Sequence, residues 1–186
     1  MSLVGQLFAK RMVIETQQKI SRVQRQYRNE IKNISQTLRA LKMDKKAVMN
    51  SLKAQMSGIN RSIFTAASSG NFSDLAPALA NMGINVADYQ ATFSALQGGD
   101  AAAKQTVFQV MSSLQAEVAQ NYAQQTNVID STYELQEQML EEEKADKEQE
   151  MQTEDATLKA ELETYQGMAK TEEEFNKQNR KDMFGQ

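Results

Sequence analysis

The stretch ISRVQRQYRNEIKNISQTLRAL, residues 20–41, decides how this chain folds. Its apolar residues Ile20, Val23, Tyr27, Ile31, Ile34, Leu38 and Leu41 recur at intervals of three or four. That spacing holds one stripe on one face of an α-helix. The stripe passes through Lys45 to Val48, Leu52, Met56, Ile59 and Ile63. From Ile20 to Ile63 twelve steps cover 43 residues, about 3.58 per step, near the 3.6 of a straight helix. Lys45 is tolerable because its stem can lie along the seam. Gly58 costs about 1 kcal/mol in a helix interior. A helix from near residue 6 to residue 64 would be roughly 90 Å long at ~1.5 Å per residue. A single apolar stripe on so long a helix must pair with something.

Composition points the same way. The 186 residues contain no Trp, Cys or His and one Pro, and aromatics are 6%. Ala, Gln, Glu, Lys and Met with helically spaced Leu describe a mostly helical chain with narrow seams. Without Cys or His there is no disulfide, thiolate nucleophile, imidazole base or zinc finger.

The net charge of −3 hides a strong partition. Residues 1–63 hold 13 Lys/Arg against three acids, and residues 64–133 hold only Lys104 against five. Residues 134–163 hold 12 acids against three Lys, and the last 23 residues balance four against four.

The middle changes character. AASSGNFSDLAPALANMGINVADYQATFSALQGGD, residues 66–100, carries four of the eight glycines and the only proline. Ser73 suits an N-cap and Gly83 a stop for a helix across 74–82, with Pro77 early enough to be tolerated. Asn85 suits the cap of a second short helix over about 86–97, ended by Gly98-Gly99, and Asp100 the cap of the next long element. Phe72, Leu75, Leu79, Met82, Ile84, Val86, Tyr89, Phe93 and Leu96 supply a small apolar head. No period-2 run predicts a strand.

A second stripe follows through Val107, Met111, Leu114, Val118, Tyr122, Ile129 and Tyr133 to Leu135, Met139 and Leu140. It then thins to Met151, Leu158, Leu162, Tyr165 and Met168. The expected architecture is therefore all-α: an elongated, coiled-coil-like antiparallel helical hairpin with a small helical head. Its parts are a long basic helix at 1–64, the head at 65–100, a long helix at 101–163 with an acidic distal half, and a polar helical or disordered tail at 164–186. If residue 64 meets residue 104, residue n faces about 168−n, and the acidic block falls opposite residues 5–34.

The sequence predicts no catalytic, cofactor-binding or metal-binding residue, and no small-molecule substrate. SSGNFSD and QGGD lack phosphate-loop spacing. Glu141–Glu143 and Glu172–Glu174 read as solvated carboxylates, where general acid work needs a buried, pKa-shifted one. The Met residues mostly fall on the stripes as adaptable packing. The candidate seam and partner residues are Ile20, Val23, Tyr27, Ile31, Ile34, Leu38, Leu41, Val118, Tyr122 and Ile129. At 100° per residue, Arg22, Arg25, Arg28 and Lys32 lie opposite that seam.

The expected role is non-enzymatic: a structural, scaffolding or adaptor protein that self-associates or binds helical partners. Secretion, flagellar and phage particles offer subunits of that architecture. In the alternative, Arg22, Arg25, Arg28 and Lys32 grip nucleic acid or an anionic membrane. MSLVGQLFAKRMVIETQQ is broken by Lys10 and Arg11 and is no secretory signal, and no run reaches the ~18 apolar residues of a span. Cytoplasmic residence is expected by default, with export on a cryptic signal left open.

Overall fold

A computed structural model describes residues 3–69, 75–81, 83–85, 89 and 101–185. Its elements are α1 (Leu3–Ser69), α2 (Leu75–Asn81) and α3 (Ala101–Phe184), with no strand among the described residues. The chain divides into two units, residues 40–137 and residues 1–39 with 138–186. In each, α1 and α3 run antiparallel, so the fold is an all-α helical hairpin with a small helix. No helix among the described residues is long and apolar enough to cross a membrane.

In the unit 40–137 the seam widens into a core. Ile63, Leu75, Leu79, Leu114 and Val118 are fully enclosed, with Ile59, Ala66, Ile84 and Met111 around them. Helix α2 makes this possible, because its Leu75 and Leu79 sit one turn apart and cover the α1–α3 seam from outside. Pro77 is its third residue, where the N–H has no intrahelical acceptor anyway.

Gly83 ends the element as its position predicts. It adopts φ +77°, its N–H donates to the Ala80 carbonyl at 2.9 Å, and the Ile84 N–H donates to Leu79 at 3.1 Å. These are the two bonds of a Schellman stop, and the Leu79–Ile84 pair supplies the apolar contact that accompanies it. The glycines at 83 and 58 should therefore answer alanine with opposite signs. Gly83→Ala must hold a side chain in the left-handed region and is expected to lose about 1 kcal/mol. Gly58→Ala meets nothing within 4 Å in a regular helix and should gain about 0.5–1 kcal/mol. Thermal melts of the two single variants check the pair.

Two sequence expectations shift. Helix α1 runs to Ser69, five residues past the boundary expected at 64. The Thr65, Ser68 and Ser69 hydroxyls donate to carbonyls four residues back, and Ala66 joins the core. The register moves as well. Lys45 meets Asp130, Asp44 meets Tyr133, Glu30 meets Lys147 and Gln24 meets Asp155, so n faces about 177−n. The expected reversal point put residue 104 opposite residue 64. Instead Met111 and Val107 lie beside Phe64 and Ala67. Of the two forms expected for the tail, residues 164–184 take the helical one, closed by Gly185 at φ +63° with its N–H on the Lys181 carbonyl. The expected caps at Ser73 and Asp100, the helix expected over 86–97 apart from Tyr89, and its Gly98-Gly99 stop lie outside the described residues. So do Phe72, Met82, Val86, Phe93 and Leu96.

Candidate functional site

The feature most open to a partner is the helix pair of the unit formed by residues 1–39 and 138–186. Its seam is built from the candidate stripe. Ile34 is buried, and Ile20, Val23, Tyr27, Ile31 and Leu38 are half-buried. In the unit 40–137, Val118 is buried, while Leu41, Tyr122 and Ile129 are half-buried. The α1 stripe thus lines the seam through both residue ranges.

Across from it, α3 offers less. The inward residues of α3 after Leu140 are Lys144, Lys147, Met151, Asp155, Leu158, Leu162 and Tyr165. Three of these are ionisable. A search for apolar periodicity passes over them, although counting 3.6 residues at a time from Leu140 to Leu158 lands on each. Lys147 Nζ lies 6.0 Å from the centre of the Tyr27 ring and pairs with Glu150 at 2.7 Å and Glu30 at 3.9 Å. Gln24 donates to Asp155 at 2.7 Å, and Lys159 reaches the same carboxylate at 2.6 Å. The hydrogen bond from Lys159, then that from Gln24, holds the Asp155 carboxyl below its ordinary range.

Two residues assigned to the α3 stripe point elsewhere. Leu135 and Met139 are 60% and 62% exposed, while Leu140 is half-buried. From Ile129 to Leu135 is six residues, a rotation of about 600°, which leaves Leu135 some 120° off the seam.

The register sets the acidic block across from the basic helix without pairing it with the basic face. Arg22, Arg25, Arg28 and Lys32 are exposed, and no ion pair among the described residues joins them to an acid. Arg25 donates to its own Ser21 carbonyl at 3.0 Å. The reason is the helical wheel itself: Val23, Tyr27 and Ile31 take the inward face and leave the cations behind it. The cross-helix ion pair in this unit has the reverse polarity, Lys147 of the acidic arm with Glu30 of the basic one.

Glu142, Glu143, Asp146 and Glu150 are exposed on α3. Glu142, Asp146 and Glu150 fall four residues apart and form one row on its outer surface. At the end of the same unit Val4, Leu7, Phe8 and Ile14 are exposed on α1, with Met168 and Phe175 on α3. Gly5, Phe8, Ala9, Met168, Thr171, Glu172 and Phe175 line a groove of about 540 Å³ there. Among the described residues no three acids, His or Cys converge as metal ligands.

Within the unit 40–137, charge does bridge the helices. Lys45 pairs with Asp130 at 2.8 Å, Lys42 with Glu137 at 3.7 Å, and Tyr133 donates to Asp44 at 2.5 Å. The hydrogen bond to Asp130 raises the Lys45 pKa, and that to Asp44 raises Tyr133. In the other unit Tyr27 is raised by its hydrogen bond to Glu154. A group whose folded pKa lies above its unfolded value contributes stability below the unfolded pKa and loses it as pH rises through the folded one. These three contacts should therefore weaken together in alkali, beginning near the ordinary values of 10.0 for Tyr and 10.5 for Lys. The expected result is a melting temperature that is level from pH 7 to pH 10 and falls above it. Tyr27→Phe/Tyr133→Phe should flatten part of that fall, and an unchanged alkaline slope would remove the tyrosines from the account.

Compared with known proteins, the chain matches no family model, no curated protein and no solved structure.

Proposed function

We propose that this chain is a non-enzymatic structural, scaffolding or adaptor protein that acts through helix–helix association, as a subunit of a larger assembly. Secretion, flagellar and phage particles are assemblies of the kind intended. Cytoplasmic residence is part of the same proposal. The observation that supports it is the unit formed by 1–39 and 138–186. There an apolar stripe on α1 meets a partly charged face of α3, and Val4, Leu7, Phe8, Met168 and Phe175 are exposed. A helix pair with so few enclosed residues gains most of its remaining stabilisation by burying that surface against another helix. Light scattering and sedimentation of the full chain test the reading. A defined oligomer, or a defined complex with a helical partner, is the expected result. A chain that stays monomeric at every concentration and is pulled down with no partner would count against it.

A second reading draws on the outward, ion-pair-free Arg22, Arg25, Arg28 and Lys32. These would engage the phosphates of nucleic acid or of an anionic membrane, with an affinity that falls steeply with salt. Titration with duplex DNA and with anionic vesicles at low salt tests it, and absence of binding there removes it.

A further inference from the structure

Resting on the scaffold reading, we propose that the second copy of this chain is the occupant of the basic face, and that it docks its acidic α3 row there. The argument begins with direction. At about 100° per residue, Leu7, Arg25, Arg28 and Lys32 share the side of α1 away from α3. Glu142 and Asp146 lie on the outer side of α3, and Glu150 and Met168 stand at the edge of that side, beside Tyr27 and Phe8 respectively. The two rows face away from each other across the helix pair, so neither satisfies the other within one chain. No ion pair among the described residues connects them.

The spacing along the rows is complementary. Lay the α3 row of a second copy antiparallel on the α1 row, with residue n facing about 175−n. Lys32 then meets Glu142 or Glu143, Arg28 meets Asp146, Arg25 meets Glu150, and Leu7 meets Met168. One register satisfies three ion pairs and one apolar contact. Leu7 and Met168, at 61% and 52% exposed, lose water in the same step. Each ion pair is weak alone, but opposite charges repeated over several turns fix partner and register. Nucleic acid would satisfy the cations but would leave Glu142, Asp146 and the Leu7–Met168 end uncovered, with Glu150 keeping its Lys147 contact.

Because the faces differ, the contact is heterologous. Each copy presents α1 to one neighbour and α3 to the next, all lying the same way round, and the association closes as a ring or continues as a filament.

Charge reversal tests this directly. Arg25→Glu/Arg28→Glu/Lys32→Glu and Glu142→Lys/Asp146→Lys/Glu150→Lys should each abolish self-association of the full chain at low salt. An equimolar mixture should restore a species of alternating variants, because both contacts between unlike variants pair opposite charges and contacts between like variants repel. All six positions are exposed, so far-ultraviolet circular dichroism should be unchanged. Should either reversal unfold the chain, the matching Gln substitutions replace it and must at least weaken association tenfold. The absence of Cys permits a check of register. Arg28→Cys mixed with Asp146→Cys should give a covalent pair under mild oxidation, and Arg28→Cys mixed with Thr164→Cys should not. An oligomer untouched by both reversals, or a mixture that stays apart, overturns this inference while leaving the scaffold reading standing. A wild-type chain that never self-associates, and takes no helical partner, overturns both. DNA binding lost in the basic-face reversal, with no reassembly in the mixture, assigns the face to a polyanion instead.

Discussion

Leu114→Ala is expected to destabilise the chain by about 3 kcal/mol, the largest single effect among its side chains. Leu114 has no exposed surface, and it lies in the cluster of Ile59, Ile63, Ala66, Leu75, Leu79 and Val118. Three helices converge there, so the walls around the deleted atoms come from three directions and cannot all collapse. Transfer and cavity terms therefore add, which is the situation in which leucine deletions cost about 2–5 kcal/mol. The control is Ile34→Ala. Ile34 is also buried, at 8% exposed, but only two helices meet at it and its neighbours are half-buried. Water can enter the space, so the cavity term shrinks and a loss of about 1–2 kcal/mol is expected. Urea titrations of both variants make the comparison. Equal losses would mean that the unit formed by 1–39 and 138–186 is packed as tightly as the unit 40–137.

The difference between those two residues also marks how far the sequence could be read. Residues 20–63 declare their helix through arithmetic alone, because every third or fourth residue is apolar and the mean step of about 3.58 admits no other regular structure. Gly83 was equally legible, since a left-handed stop after an apolar helix has a local signature. The register was not. It depends on how α2 packs on the α1–α3 seam, which is a matter of three-dimensional packing that no local pattern encodes. Leu135 and Met139 continue the apolar string of α3 in sequence but not in rotation, and so fall off the seam. The same wheel reasoning places the arginines outward. The acidic row was hidden for the opposite reason. Residues 134–163 carry acids on every side of the helix, so abundance alone does not single out Glu142, Asp146 and Glu150. They stand apart only once Lys144, Lys147, Met151 and Asp155 are known to face inward.

Those inward polar residues carry the second large effect. Lys147→Leu/Asp155→Leu is expected to raise stability by about 1–2 kcal/mol. Lys147 is 32% and Asp155 19% exposed at the side chain, and both lie on the row that contains Met151, Leu158 and Leu162. Leucine there would extend an apolar row against Ile20, Val23, Tyr27 and Ile31, which at present are only half-buried. What is lost is small. The Lys147 contacts to Glu150 and Glu30 are solvated ion pairs, and such pairs contribute about 0–1 kcal/mol. Gln24 loses its acceptor at Asp155, but it is only part-buried and can turn to water. Replacing polar seam groups by apolar ones of similar size is commonly neutral or stabilising. The gain should come with a second change that separates it from a purely local effect. The acid-side stability carried by the depressed Asp155 carboxyl is present above its unfolded pKa and lost as pH falls through the folded one, so the variant should lack that loss. Thermal melts from pH 7 down to pH 2 read both. A higher melting temperature at neutral pH with a flatter acid limb is the expected result. A lower melting temperature at neutral pH would show that the lysine and aspartate hold the seam together rather than interrupt it.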